Sequence, residues 1–223
     1  MSLFLLPLTC ADPAPIMDAN WQNTLMDRFF SDIPTKNLSK QSGGSFIKNC
    51  SNNYCNGFWT HIQCDGRRIT RLHFAQLRVG KFRLHELPPT LELLWIYDCD
   101  QSGTLHTRNL PRALVALSLE QNRLCGRLDL TTLPQNLVKA HFYGNRFTGP
   151  ISLCQLPQNL QYLQLTGNPI AQEVVWYDNL PPGIAQIWLK KSRQQKIGRV
   201  CALHPGKAVD PKIFPAMQPS AIE

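Results

Sequence analysis

Six histidines and eight cysteines are the residues of this 223-residue chain best suited to chemistry. Nucleophilic, phosphoryl-transfer and metal-assisted catalysis each need such residues at a fixed spacing, so that one backbone geometry aims them at a common point. None of those spacings is present: there is no Gly-x-Ser-x-Gly turn, no Gly-rich phosphate loop and no His-Glu-x-x-His pair. No two cysteines stand two to four apart, and His61 near Cys64 lacks the second close pair that a zinc site requires. The chain reads as non-catalytic, with no cofactor and no metal. His73 and His141 instead fall on outward strand positions of separate repeating units, and the repeat decides the fold.

The repeat shows when the chain is written out from each proline that follows a leucine. Pro88, Pro111, Pro134 and Pro157 are spaced by 23 residues, and Pro181 follows after 24. The unit from Pro111 carries Leu114, Leu117, Leu119 and Asn122, a Leu-x-x-Leu-x-Leu-x-x-Asn pattern. Units begin near 66, 88, 111, 134, 157 and 181, the first shortened and the last degenerate. This is the leucine-rich-repeat signature, at a period the architecture allows. Alternate strand residues point into the stack while their neighbours face outward. Asn122, Asn145 and Asn168 recur at one inward position, where an amide both donates and accepts and so satisfies the backbone of a bend. Gly126 and Gly149 sit where the chain turns and a positive φ is useful. No unit buries its apolar face alone, so stacking supplies the core.

The expected fold is a mostly-β solenoid of the α/β type, a leucine-rich-repeat horseshoe arc of about six 22–24-residue repeats. Repeats would span 66–203, with an N-terminal cap over 12–65 and a C-terminal cap or tail over 204–223. In the first cap, Asp18 to Pro34 reads as one helix, with Asp18 or Asn20 as N-cap. Trp21, Leu25, Phe29 and Ile33 recur on one face. Val200, Leu203 and Ile213 would anchor the other end.

The run Cys-(x)n-Trp-x-x-Ile-x-Cys-Asp-Gly, followed by Arg-Ile-Thr-Arg-Leu, resembles the N-terminal cap of plant-type extracellular leucine-rich-repeat proteins. A closer match is to the kinetoplastid leucine-rich-repeat proteins related to protozoan surface antigens. The helix carries Asn23-Thr24-Leu25, the cap Cys55, Trp59 and Cys64, and one unit reads Leu124-Cys-Gly-Arg-Leu-Asp-Leu-Thr-Thr-Leu-Pro134. The resemblance covers about residues 18–200. It implies a non-catalytic protein, secreted or on the cell surface, that acts by recognition. Leu77, Cys99 and Ser192 depart from the Asn pattern.

Cys55 and Cys64 flank Trp59, a plausible disulfide in an oxidising compartment, with Cys50 a competitor for either partner. Cys99 reads as a free buried thiol. Cys125, Cys154 and Cys201 occupy different places in their units and predict no pairing. Residues 1–11 resemble the apolar core and cleavage site of a truncated secretory signal peptide, without a basic n-region. Asn37-Leu-Ser39 and Asn49-Cys-Ser51 are glycosylation sequons, which matter only in the secretory pathway.

If each strand is x-Leu-x-Leu-x, three columns of side chains share the concave face. The first is Arg71, Leu93, Ala116, Lys139, Tyr162 and Gln186. The central one is His73, Trp95, Ser118, His141, Gln164 and Trp188. The third is Ala75, Tyr97, Glu120, Tyr143, Thr166 and Lys190. Aromatics beside Arg and Lys make the composition of interface anchors; the plainer reading is aromatics stacking on one another along a sheet. The partner expected on that face is a protein, with a glycan as the other option.

The formal charge of +8 gathers in two clusters, 67–83 and 190–223, around a near-neutral middle. Such a split lacks the contiguous footprint of a specific nucleic-acid binder, and no apolar run is long enough to span a membrane. The alternative to a secreted recognition protein is an intracellular structural or adaptor subunit whose basic ends contact RNA or an acidic partner.

Overall fold

A computed structural model of the chain describes residues 19–34, 53–57, 59–189, 196–204 and 209–223. The possible signal segment, both sequons, Cys50, Ser192 and Lys190 lie outside these residues.

The leucine period folds as a stack of turns. Each turn places one strand in a long sheet: β1 (Ile62–Asp65), β2 (Arg68–Ala75), β3 (Leu93–Tyr97), β5 (Ala116–Ser118), β7 (Lys139–His141), β9 (Tyr162–Gln164) and β11 (Gln186–Trp188). β1 pairs antiparallel with β2 as a hairpin, and from β2 onward all neighbours are parallel. The paired inward residues, from Leu72 and Phe74 to Ile187 and Leu189, are all buried. They form one continuous core that also takes in Leu91, Leu114, Leu137 and Leu160. Before β3, β5, β7, β9 and β11 the carbonyl of the repeat proline accepts the N–H three residues on, as in Pro111 to Leu114 and Pro134 to Leu137. Proline lacks the donor but keeps this acceptor, and so turns the chain toward the next strand.

The return half of the turns builds two further sheets that the sequence pattern does not announce. β4 (Ser102–Thr104), β6 (Arg123–Arg127) and β8 (Arg146–Thr148) form a three-stranded parallel sheet. β10 (Ala171–Tyr177) and β12 (Lys196–Ala202) pair in parallel near the C-terminal end. Gly126 therefore lies within a strand rather than at a turn. Its φ of +81° and the approach of the Thr104 methyl, 3.1 Å from where a Cβ would stand, both favour glycine.

Three asparagines tie successive turns together. Asn122 accepts the N–H groups of Cys99 and Gln101 at 3.1 and 3.0 Å and donates to the Ile96 carbonyl at 2.7 Å. Asn145 accepts the Leu124 N–H, and Asn168 the Phe147 N–H, each at 3.1 Å. Every one is buried. Cys99 at the same place donates its thiol toward the carbonyls of Phe74 and Tyr97, and burial pushes the thiol pKa up.

The first cap differs from expectation in its helix. α1 spans Ala19–Phe29 and ends before the expected Pro34, because the chain tightens afterwards into bonds from Ser31 to Arg28 and from Ile33 to Phe30; Asp18 lies outside the described residues. Asn20 lies inside the helix. The buried residues of the helix and of the turn that follows it are Gln22, Met26, Phe29, Phe30 and Ile33, whereas Trp21 is 45% exposed. A spacing of four drifts around a 3.6-residue helix, so Trp21 leaves the stripe that ends at Ile33. Phe29 stacks on Phe82 at 5.0 Å, and Phe30 on Trp59 at 5.7 Å. A Cys55–Cys64 disulfide closes the cap. At the far end Val200 is buried as expected, but Leu203 is 52% exposed. Phe214, packed near Tyr177 at 6.4 Å, is the buried anchor instead.

Candidate functional site

Period-2 alternation sends every second strand residue away from the leucine core, and parallel register lines these residues up across the sheet. His73, Trp95, Ser118, His141, Gln164 and Trp188 pair in that order, strand to strand, as do Arg71, Leu93, Ala116, Lys139, Tyr162 and Gln186. In the third column Ala75 pairs with Tyr97. The ladder then runs from Asp98 to the Glu120 carbonyl and from Gln121 to the Tyr143 carbonyl.

The columns are not equally open. Trp95 and Tyr97 are exposed at 42% and 37%. Tyr143, Tyr162, Gln164 and Trp188 are half-buried, and Ala116 and Thr166 are buried. Trp188 donates its indole N–H to Gln186 at 3.2 Å, and the Lys139 ammonium sits 5.7 Å above the Tyr162 ring. Within these columns the exposed aromatic surface is therefore concentrated on β3, while Trp21 and Trp176 are exposed elsewhere on the molecule.

A shallow depression of about 310 Å³ opens beside it, lined by His73, Trp95, Tyr97, Glu120, Lys139 and His141 together with Ser118 and the small residues between them. The His73 and Trp95 rings meet edge to face at 5.2 Å. Glu120 Oε1 lies 3.1 Å from His141 Nδ1, so the imidazole is oriented by a carboxylate. Ser118 is the register partner of His141, yet no hydrogen bond joins the two among the described residues. The cluster offers a polar, charged rim around an aromatic wall. Arg71, Tyr143, Tyr162, Gln164 and Trp188 share the sheet face but do not line the depression.

Two buried amides escape a reading by leucine period. Gln101 accepts the Phe82 N–H at 2.7 Å and donates to the carbonyls of Gly80 and Cys99. Gln22 reaches from α1 to accept the Ile69 N–H at 2.9 Å. Both support the turn that presents His73. No group of three or more His, Cys, Asp or Glu able to hold a metal occurs among the described residues.

Solved structures share this architecture. The BIR2 ectodomain from Arabidopsis thaliana superposes with a TM-score of 0.54 at 16% identity, over 81% of this chain and 94% of that one. A chain from the BIR3–SERK2 complex of Arabidopsis thaliana gives 0.50 at 20% identity, over 79% and 93%. The fold is a leucine-rich-repeat solenoid. A plant ice-binding protein also matches, with a TM-score of 0.50 at 16% identity over 87% of this chain and 69% of that one. A shared architecture does not fix a function, so the outward side chains must carry that argument. No family model and no curated protein matches the sequence.

Proposed function

We propose that this chain is a non-catalytic recognition protein that binds a protein partner on the open face of its long sheet, with Trp95 and Tyr97 as anchors. One observation carries the reading: two large aromatics stand exposed on a single strand, above a depression rimmed by His73, Glu120, Lys139 and His141. Water-exposed rings of this size gain most when a partner covers them, and the rim supplies directional polar contacts. Exposed Arg71 and the half-buried Tyr143, Tyr162, Gln164 and Trp188 add complementarity around that centre.

The protein acts outside the cell in this reading. The Cys55–Cys64 disulfide suits an oxidising compartment. So do the resemblance of its cap and Asp-Leu-Thr unit to kinetoplastid surface-antigen-type proteins and the signal-like residues 1–11. Glycans on Asn37 and Asn49 belong to the same proposal. No described helix is long and apolar enough to cross a membrane. Specific RNA binding is not part of the reading, since Arg78 and Arg83 of the first basic cluster are engaged by Asp98 and Asp32.

The test begins with capture of partners from the source cell on the intact protein, followed by affinity measurement for Trp95→Ala and Tyr97→Ala. A glycan rather than a protein recovered on the same residues would change the ligand class and keep the face.

A further inference from the structure

The depression on the open face is a slot with large walls and a small floor. Its floor is β5, where Ala116 and Ser118 stand, and its walls are the larger side chains of β3 and β7 on either side. Those two strands lie two sheet spacings apart, about 9.6 Å, which leaves room for one side chain between the walls. Trp95 forms one wall. The His73 ring meets it edge to face from the β2 side, whereas its register partner on the β5 side is Ser118. A serine is too small to cover an indole, so that flank of Trp95 opens into the slot.

The slot also carries a charge. Glu120 is the one acidic residue among those described that line it. It follows Ser118 by two residues, about 7 Å along the chain, and lies in the row of Tyr97 and Tyr143. Its side chain is only 21% exposed, and His141 Nδ1 donates to Oε1 at 3.1 Å. A carboxylate has about four acceptor positions; Oε2 accepts no hydrogen bond among the described residues. Lys139 does not fill that gap. Its ammonium leans to the far side of β7, 5.7 Å above the Tyr162 ring on β9.

An aromatic flank and an under-used carboxylate, set about 7 Å apart over small residues, select among the side chains a partner can insert. Arginine meets both, because its planar guanidinium lies against an aromatic face and its fork of N–H donors matches a carboxylate. Lysine brings the charge as a compact, strongly hydrated ammonium without the plane. An acidic or apolar side chain would cover Glu120 and leave it unpaired, which costs more than it gains.

We propose that this slot is the specificity site of the open face and takes an arginine side chain of the partner protein, with its plane against Trp95 and its N–H donors on Glu120. The inference rests on the reading of that face as the partner surface, and adds which residue of the partner enters it.

Nα-acetyl-arginine amide is the probe, titrated into the full chain at pH 7.5 and followed by amide NMR shifts. It should bind about tenfold tighter than Nα-acetyl-citrulline amide, which keeps the planar shape and lacks the charge, and tighter than Nα-acetyl-lysine amide. Glu120→Gln keeps an acceptor for His141 and should erase the preference for arginine over citrulline. Trp95→Ala should weaken the arginine and citrulline probes alike. Glu173→Gln, an exposed acid on β10, should change nothing. Citrulline or lysine binding as tightly as arginine, or a preference that survives Glu120→Gln, would overturn the proposal. Partner capture lost in Trp95→Ala with Tyr97→Ala, but no arginine preference in the titration, would overturn the slot and leave the partner face standing. Capture untouched by that double variant would overturn the face itself.

Discussion

Asn145 donates its side-chain amide to the Leu119 carbonyl at 2.8 Å, a bond across 26 residues of sequence and one turn of the solenoid. The same amide donates to Phe142 and accepts the Leu124 N–H. One buried side chain thus closes backbone valences on two turns at once. Asn145→Leu would leave those groups dry and unpaired, at about 1–3 kcal/mol for each one unsatisfied. Urea denaturation should show a lowered midpoint with little change in slope. An unchanged midpoint would mean that the turns are held by something else.

Cys55 and Cys64 close a loop with a sequence separation of 9 at the front of the stack. Chain entropy assigns a loop of that size roughly 2.5 kcal/mol. Non-reducing peptide mapping of protein from its native source should recover the two half-cystines on linked peptides, and reduction should lower the thermal midpoint. Free Cys55 and Cys64 in that map would remove the main structural support for an oxidising compartment.

The leucine period carried most of this fold, because a solenoid repeats one solution and each inward position is apolar for the same reason. Ala140 and Phe142 fill their turn as Leu117 and Leu119 fill theirs. The second sheet was invisible for the opposite reason. Arg146-Phe147-Thr148 is too short and too polar to signal a strand, and becomes one only because Cys125 and Arg127 lie one turn away. Gln22 and Gln101 were missed since glutamine reads as surface until its hydrogen bonds are seen. The outward columns were legible from alternation alone. Their exposure was not, because whether Tyr143 or Tyr97 stands free depends on neighbours such as Gly167, whose backbone leaves room for the Tyr143 ring.

Cys99 gives the fold a pH dependence. Burial raises its thiol above the ordinary 9.0, and burial likewise raises Cys201 and Tyr177. A folded pKa above the unfolded one leaves stability intact below about pH 9, and stability falls as pH rises from there toward the folded value. Cys99→Asn supplies the residue found at this position in the next three turns and removes one titrating thiol. Urea midpoints measured across this alkaline range should decline less steeply for Cys99→Asn than for the wild type. Equal slopes would show that Cys99 ionises alike in both states.

The open face is the central claim, and Trp95 with Tyr97 is its test. Both side chains point away from the leucine core, so Trp95→Ala with Tyr97→Ala should keep the wild-type denaturation midpoint. Calorimetric titration against the captured partner should show affinity weakened at least about tenfold, roughly 1.4 kcal/mol. Replacing exposed Arg127 or Gln155, which lie off the long sheet, should leave affinity unchanged. Full affinity in the double variant, with loss on replacing Arg127 or Gln155, would contradict the account and put the binding face on the other side of the solenoid.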